Sequence, residues 1–190
     1  MLRPLPAVFL LWASLILLPA SGVLAVTNVG QPAPALVVQE LSGQTFDLAA
    51  QRGKVVVINF WATWCPPCRH EMPALDTFYR KYHSQGLEVI GVSIDRPRDA
   101  SEVRNVMQSF RYPAAIADDA KVNDFGTPYA LPVTFVIDSH GVLRDNLTPE
   151  EAPLTEQSLA RLVLPLLDRK EASQLPSDSR GSESIPNLKK

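Results

Sequence analysis

Residues 60–73, FWATWCPPCRHEMP, contain both cysteines of this 190-residue chain. Such a pair could ligate a metal, form a structural disulfide, or exchange between dithiol and disulfide. A structural zinc site usually takes four ligands in two recognisable pairs, and the three histidines supply no second pair with that spacing. A structural disulfide across so short a loop would remove little entropy from the unfolded chain. We therefore interpret the pair as redox-active, with no metal and no cofactor.

Cys65 and Cys68 are predicted to have different roles. The apolar run KVVVINF indicates a buried strand just before the motif, and the apolar residues from Met72 onward recur at helical spacing. Cys65 would then lie at a helix N-terminus, where free N–H groups and the helix dipole stabilise a thiolate. We predict that Cys65 is the nucleophile and that Cys68, one turn later, resolves the mixed disulfide.

The dipeptide Pro66-Pro67 is expected to affect the redox potential. Two prolines remove two N–H donors that could otherwise reach the sulfur of Cys65. A less stabilised thiolate means a less stabilised reduced form, and therefore a lower potential. The sequence thus favours a reductant or a moderate exchanger over a strong oxidant.

The elements around the motif alternate between strands and helices. ALVVQEL and TFDL, joined at Ser42-Gly43, predict a hairpin, and LEVIGVSI predicts a buried strand after the motif helix. Residues 99–110 predict a helix, YPAAIAD a short strand and AKVNDF a short helix. PVTFVID and VLRD predict a second hairpin, followed by an amphipathic helix in TEQSLARLVLPLLDR. Interleaved helices and buried strands imply an α/β sheet covered on both faces.

Both ends of the chain differ from the middle. Residues 1–25 have one early positive charge, an apolar run and small residues before Ala25, which is typical of an export signal; an uncleaved anchor is the alternative. Residues 26–168 are predicted to form one domain, and the polar, serine-rich residues 169–190 a disordered tail. Either interpretation of the leader places the domain outside the cytoplasm, in a periplasmic or similar compartment that permits disulfides. The net charge of -2, without a basic tract, argues against nucleic acid as a partner.

FWATWCPPC, Pro73 and the late LPVTFVID are similar to the thioredoxin superfamily, and VGQPAP with GKVVVINFWATWC resembles its exported TlpA-like and ResA-like branch. The resemblance implies a thioredoxin-like fold: a central mixed sheet with helices on both faces, an N-terminal β-hairpin and an inserted strand and helix before a cis-proline. That proline maps to Pro132, preceded by Leu131, where the backbone would pair with an extended substrate. Trp64, beside Cys65, is a further candidate for the substrate-docking surface.

Two polar residues near the motif, Asn59 and Asp95, differ from the pattern of related proteins. Asn59 occupies the position of a buried aspartate in cytoplasmic thioredoxins, so a proton acceptor is missing there. Some ResA-like reductases have a glutamate near the cysteines just after the next strand, where this chain has Asp95 and Arg96. Asp95 could substitute for that glutamate, but we interpret it as a solvated carboxylate at a strand end and leave it out of the predicted site.

The resemblance implies an exported thiol-disulfide oxidoreductase that reduces protein disulfides. It would serve cytochrome c maturation or a related assembly, with apocytochrome c as a typical client and a membrane thiol transporter as electron donor. Two alternatives remain. A thiol peroxidase would need a threonine or serine three residues before its cysteine, whereas Thr63 lies two before Cys65. A binding module could use the same cysteines for copper or another soft metal.

Overall fold

Eight strands and three α-helices make up the part of the chain that the computed structural model describes, residues 28–149 and 153–174. The strands are β1 (Leu36–Gln39), β2 (Thr45–Asp47), β3 (Val55–Trp61), β4 (Leu87–Ser93), β5 (Ala114–Ile116), β6 (Val122–Asn123), β7 (Val133–Ile137) and β8 (Leu143–Leu147). The helices are α1 (Pro66–Tyr82), α2 (Ala100–Met107) and α3 (Glu156–Gln174).

The main sheet has the spatial order β5-β4-β3-β7-β8. Strands β3, β4 and β5 are parallel, whereas β7 and β8 are antiparallel to their neighbours. Strand β3 lies at the centre and is buried along its whole length, as expected for an unbroken apolar run covered on both faces. The predicted mixed α/β sheet is therefore confirmed.

The three α-helices cover one face of this sheet. Val55, Val57 and Trp61 of β3 belong to the same apolar cluster as buried residues from all three helices, whereas Val56 and Ile58 belong to the cluster on the other face. The connections β3-α1-β4 and β4-α2-β5 step across the sheet in one direction, and right-handed crossovers then place both helices on the same side.

The second face is covered mainly by a small antiparallel sheet of order β2-β1-β6. Among the described residues, the helices on this second face are the short 3-10 helices Leu48–Gln51 and Ala117–Asp119, whereas α-helices were expected on both faces. The short helix predicted over AKVNDF is wrong. Residues 122–123 pair with β1 instead, because Lys121 N–H donates to Val37 O at 2.9 Å and Asp124 N–H donates to Ala35 O at 2.9 Å.

Both predicted hairpins are present, β1-β2 at the N-terminal side and β7-β8 near the end. The expected insertion before the cis-proline corresponds to α2 and β5. Helix α3 extends to Gln174, past the predicted domain boundary at residue 168. The predicted leader and residues 175–190 lie outside the described residues. Within residues 28–149 and 153–174, no helix is long and apolar enough to cross a membrane.

The register of β3 against β4 determines where the cysteines lie. Trp61 is aligned with Ser93 at the carboxyl ends of these two parallel strands. Ile94 N–H then donates to Trp61 O at 2.9 Å, so the segments that follow β3 and β4 leave the sheet side by side. The segment leading to Cys65 therefore lies next to the segment that contains Asp95.

Candidate active site

Cys65 and Cys68 form a disulfide at the start of α1, with their Cα atoms 5.4 Å apart. Cys65 is the N-cap residue of the helix, and its Sγ accepts a hydrogen bond from Cys68 N–H at 3.3 Å. The Cys65 residue is 5% exposed and Cys68 only 1%. The less buried cysteine is thus the one at the helix terminus, which is the arrangement expected for an attacking and a resolving cysteine.

The hydrogen bonds at the N-terminus of α1 reflect the two prolines. Pro66 and Pro67 occupy its first two positions, where a missing N–H breaks no helical bond. An N-cap side chain normally accepts from the second or third N–H of its helix. Because Pro67 has none, the Cys68 N–H is the only donor to Cys65 Sγ among the described residues.

The loop before β7 brings Leu131 and Pro132 to the cysteine motif. The Leu131–Pro132 peptide bond is cis, Pro132 is buried and Leu131 is half-buried. Both residues line a groove of about 440 Å³ together with Pro66 and Pro67. The other lining residues are His70, Glu71, Thr148, Pro149, Pro153, Leu154 and Thr155. Two predicted substrate-binding residues are therefore assembled in one groove beside the disulfide, while their role in binding stays a prediction.

Trp64 is 66% exposed, directly before Cys65, and it does not line that groove. An exposed indole next to the reactive cysteine is available to a docking partner. Its contribution to client binding also stays a prediction.

Asn59 lies on β3, beneath the motif, and is buried. Its Nδ2 donates to Thr134 Oγ1 at 2.9 Å, which joins β3 to β7 two residues after the cis-proline. An amide cannot take up a proton as a carboxylate can, so this position supplies no proton acceptor.

The interpretation of Asp95 as a solvated carboxylate is wrong. The residue is 3% exposed, and its carboxylate accepts hydrogen bonds from Thr63 N–H at 2.8 Å, Thr63 Oγ1 at 2.7 Å and Ser93 Oγ at 2.6 Å. The resemblance pointed to this position, but the hydrogen bonds themselves depend on β3 and β4 ending side by side. Asp95 therefore belongs to the surroundings of the cysteines.

Glu71 is a second residue that was missed. It is 8% exposed, lines the groove, and its Oε1 accepts from Leu154 N–H at 2.9 Å. Burial raises the pKa of Glu71 above its ordinary value, and the hydrogen bond from Leu154 offsets this only in part. Helical spacing could have indicated it, since Glu71 lies three residues after Cys68 and four before Leu75, on the buried face of α1.

The raised pKa of Glu71 predicts a specific pH dependence of stability. A carboxyl group whose pKa is higher in the folded state stabilises that state below its unfolded pKa, and this contribution is lost as pH rises through the folded pKa. Glu71→Gln keeps an acceptor for Leu154 N–H but cannot ionise. We expect the free energy of unfolding of the variant, measured by urea denaturation, to increase relative to that of the parent as pH rises from about 4.5 to 8. Parallel pH profiles of the two proteins would contradict this.

Across residues 28–149 and 153–174, no three His, Cys, Asp or Glu side chains are grouped so that they could hold a metal ion.

Comparison with known proteins identifies the family of this chain. The model of the AhpC/TSA family matches residues 29–146. Thiol-disulfide oxidoreductase ResA of Geobacillus kaustophilus is 33% identical over 156 residues, 77% of this chain and 88% of that protein. ResA of Bacillus anthracis is 31% identical over 140 residues, 73% of this chain and 80% of the relative.

A solved structure extends the similarity to three dimensions. The thiol:disulfide interchange protein of Chlorobium tepidum, a thioredoxin family protein, has 27% sequence identity and a TM-score of 0.63, over 75% of this chain and 99% of that one. This chain thus combines the sequence similarity to these proteins with a thioredoxin-like architecture and paired cysteines at a helix N-terminus. The chain belongs to the AhpC/TSA family, and it is a thiol-disulfide oxidoreductase of the ResA type.

Proposed function

We propose that this oxidoreductase works outside the cytoplasm as a reductant of protein disulfides, with Cys65 as the attacking and Cys68 as the resolving cysteine. The observation that carries this proposal is the sparse set of donors at Cys65 Sγ. One backbone N–H reaches the sulfur among the described residues, and Pro67 removes the neighbouring donor. A weakly stabilised thiolate favours the disulfide form of the enzyme, so the dithiol form gives up its electrons readily.

The reaction begins with the reduced enzyme. The Cys65 thiolate attacks one sulfur of a client disulfide, forming a mixed disulfide and releasing the other client sulfur as a thiolate. The Cys68 thiolate then attacks Cys65 Sγ and releases the second client sulfur. Two electrons pass to the client, whose sulfurs finish as thiols after protonation, and the enzyme finishes with the Cys65–Cys68 disulfide seen in the structure.

The groove beside the motif suggests how a client is presented. Pro66, Pro67, Leu131 and Pro132 give it an apolar wall next to the disulfide. An extended client segment would lie along this wall and pair with the backbone at Leu131, and the exposed Trp64 next to Cys65 would also contact it. Such a surface suits unfolded or extended segments rather than a rigid folded domain.

The client we favour is an apocytochrome c whose haem-binding C-x-x-C-H cysteines have become oxidised, with electrons supplied by a membrane thiol transporter. This client and the extracytoplasmic location agree with the predicted leader and with the resemblance to the exported branch. A chain of this type would keep such cysteines reduced for haem attachment in a compartment that oxidises them.

A peptide reduction assay tests the proposed direction and client class. The reduced enzyme is mixed with an oxidised C-x-x-C-H peptide, and free peptide thiols are measured over time against the Cys65→Ser variant as control. We expect stoichiometric peptide reduction by the parent and none by the variant. Failure of the parent to reduce the peptide, with rapid oxidation of reduced peptide by the disulfide form, would overturn the proposal.

The same preparation tests the two alternatives. A thiol peroxidase would consume hydrogen peroxide at the expense of an added dithiol. The hydroxyl of Thr63 donates to Asp95 at 2.7 Å and is thus already engaged. A copper-binding module would retain the metal after purification and lose it on alkylation of the cysteines. We expect neither peroxide turnover nor retained copper.

A further inference from the structure

The Asp95 carboxylate forms a compact set of hydrogen bonds at the carboxyl end of β4. Its Oδ2 accepts from Thr63 N–H at 2.8 Å and from Ser93 Oγ at 2.6 Å, while its Oδ1 accepts from Thr63 Oγ1 at 2.7 Å. Its own N–H donates to Ser93 Oγ at 3.0 Å. Two of the three bonds to the carboxylate come from Thr63, so the group is directed at the segment that precedes Cys65.

That segment is a turn of four residues, Ala62–Cys65. Cys65 N–H donates to Ala62 O at 3.2 Å and closes the turn, and Thr63 is its second residue. Cys65 then caps α1, with its backbone carbonyl accepting from Arg69 N–H at 3.2 Å. Thr63 and Trp64 are the only residues between the turn's first and last positions, so a displacement of Thr63 is transmitted to Cys65 over a very short length of chain.

Asp95 does not take part in a salt bridge that would explain its burial. No Lys, Arg or His nitrogen of the described residues lies within 4.0 Å of its carboxylate. A buried carboxylate is costly unless hydrogen bonds compensate it, and here the compensation comes from the motif turn and from Ser93. Asp138, by contrast, is buried at the opposite end of the sheet, where it accepts from backbone N–H groups of its own hairpin and from Arg144.

We propose that Asp95 is a positioning residue for the Cys65–Cys68 centre. By holding Thr63 it fixes the turn Ala62–Cys65 and so keeps Cys65 Sγ in place at the N-terminus of α1, where the thiolate is stabilised. Asp95 itself does not react. The proposal depends on Cys65 being the attacking cysteine but not on any particular client.

Two substitutions of Asp95 separate its geometry from its charge. Asp95→Asn removes the charge but can still accept from Thr63 N–H and place its amide against the Thr63 hydroxyl. Asp95→Ala removes both the charge and the contacts. The difference between the two variants therefore reports positioning alone.

The measurement is the rate at which iodoacetamide alkylates Cys65 in the reduced protein, from pH 5 to pH 9, with the modified residue identified by mass spectrometry. We expect Asp95→Ala to react about fivefold to tenfold more slowly than Asp95→Asn at pH 7, the effect of losing about one ordinary, uncharged hydrogen bond. We also expect the midpoint of its pH profile to be higher. Coinciding rates and profiles for the two variants would overturn the proposal. Alkylation needs no client, so its result is independent of whether the peptide assay succeeds.

Further variants control for a general loss of stability. Asp138→Ala removes a comparably buried carboxylate far from the cysteines, and it should lower the unfolding midpoint while leaving the alkylation profile unchanged. If Asp95→Ala does not fold, Thr63→Val and Thr63→Ser replace it in the comparison, because only serine keeps the hydroxyl that donates to Asp95. Slower alkylation in Thr63→Val than in Thr63→Ser supports the proposal, and equal rates refute it.

Discussion

Replacing Cys65 by serine is expected to reduce disulfide exchange by about a thousandfold or more, because a serine hydroxyl cannot supply the thiolate that attacks a disulfide. Replacing Cys68 instead should leave the attack intact but block the second step. The Cys68→Ser variant is therefore expected to accumulate a mixed disulfide between Cys65 and a client peptide. Non-reducing mass spectrometry of the variant mixed with an oxidised peptide measures this adduct directly.

The two cysteine variants control for each other. Cys65→Ser has the same number of thiols as Cys68→Ser, yet its remaining sulfur is 1% exposed and lies one turn inside the helix. It should form little adduct under the same conditions. A larger adduct on Cys68 than on Cys65 would contradict the assigned order of attack.

Restoring a donor at Cys65 is expected to raise the redox potential. Pro67 holds the second position of α1, from which an N–H would normally reach an N-cap side chain. Pro67→Ala supplies that N–H. A hydrogen bond to a charged group contributes about 1.5 kcal/mol or more, which corresponds to about 30 mV for a two-electron couple. Equilibration with graded thiol buffers, followed by thiol labelling, measures the change.

Pro66→Ala is the matched control for this experiment. It also replaces a proline by alanine next to the cysteine, but its N–H lies at the first helix position, which is not one that an N-cap side chain normally accepts from. We expect a smaller shift than for Pro67→Ala. Equal shifts in the two variants would show that the donor at position 67 does not set the potential.

The sequence predicted those elements in which a single hydrophobic pattern, either an unbroken apolar run or helical apolar spacing, continues over many residues. The buried run of β3 and the apolar spacing of α1 placed both cysteines at a strand-to-helix junction, as the structure confirms. Local signals were weaker. Asp99 and Glu102 have the spacing of a capping box, which predicts a side-chain cap at the start of α2. In the structure Asp99 makes no cap hydrogen bond and instead accepts from Arg96.

The missed features all depend on contacts between segments distant in sequence. Residues 122–123 form a strand because they pair with β1, and this tertiary contact outweighs the local helical pattern. Asp95 is buried because Thr63, which lies 32 positions earlier in the turn before Cys65, donates hydrogen bonds to its carboxylate. Glu71 is buried because the segment that enters α3 covers it through Leu154. Charged side chains are usually exposed, and only the tertiary structure supplies the partners that permit the burial of Asp95 and Glu71.

The redox potential of the Cys65–Cys68 couple tests the central claim most directly. The sparse donors at Cys65 Sγ predict a potential near or below about -270 mV, the value of thioredoxin, as required of a protein that reduces client disulfides. A potential near about -120 mV, typical of a strong disulfide donor, would contradict the claim and reverse the proposed direction of electron flow.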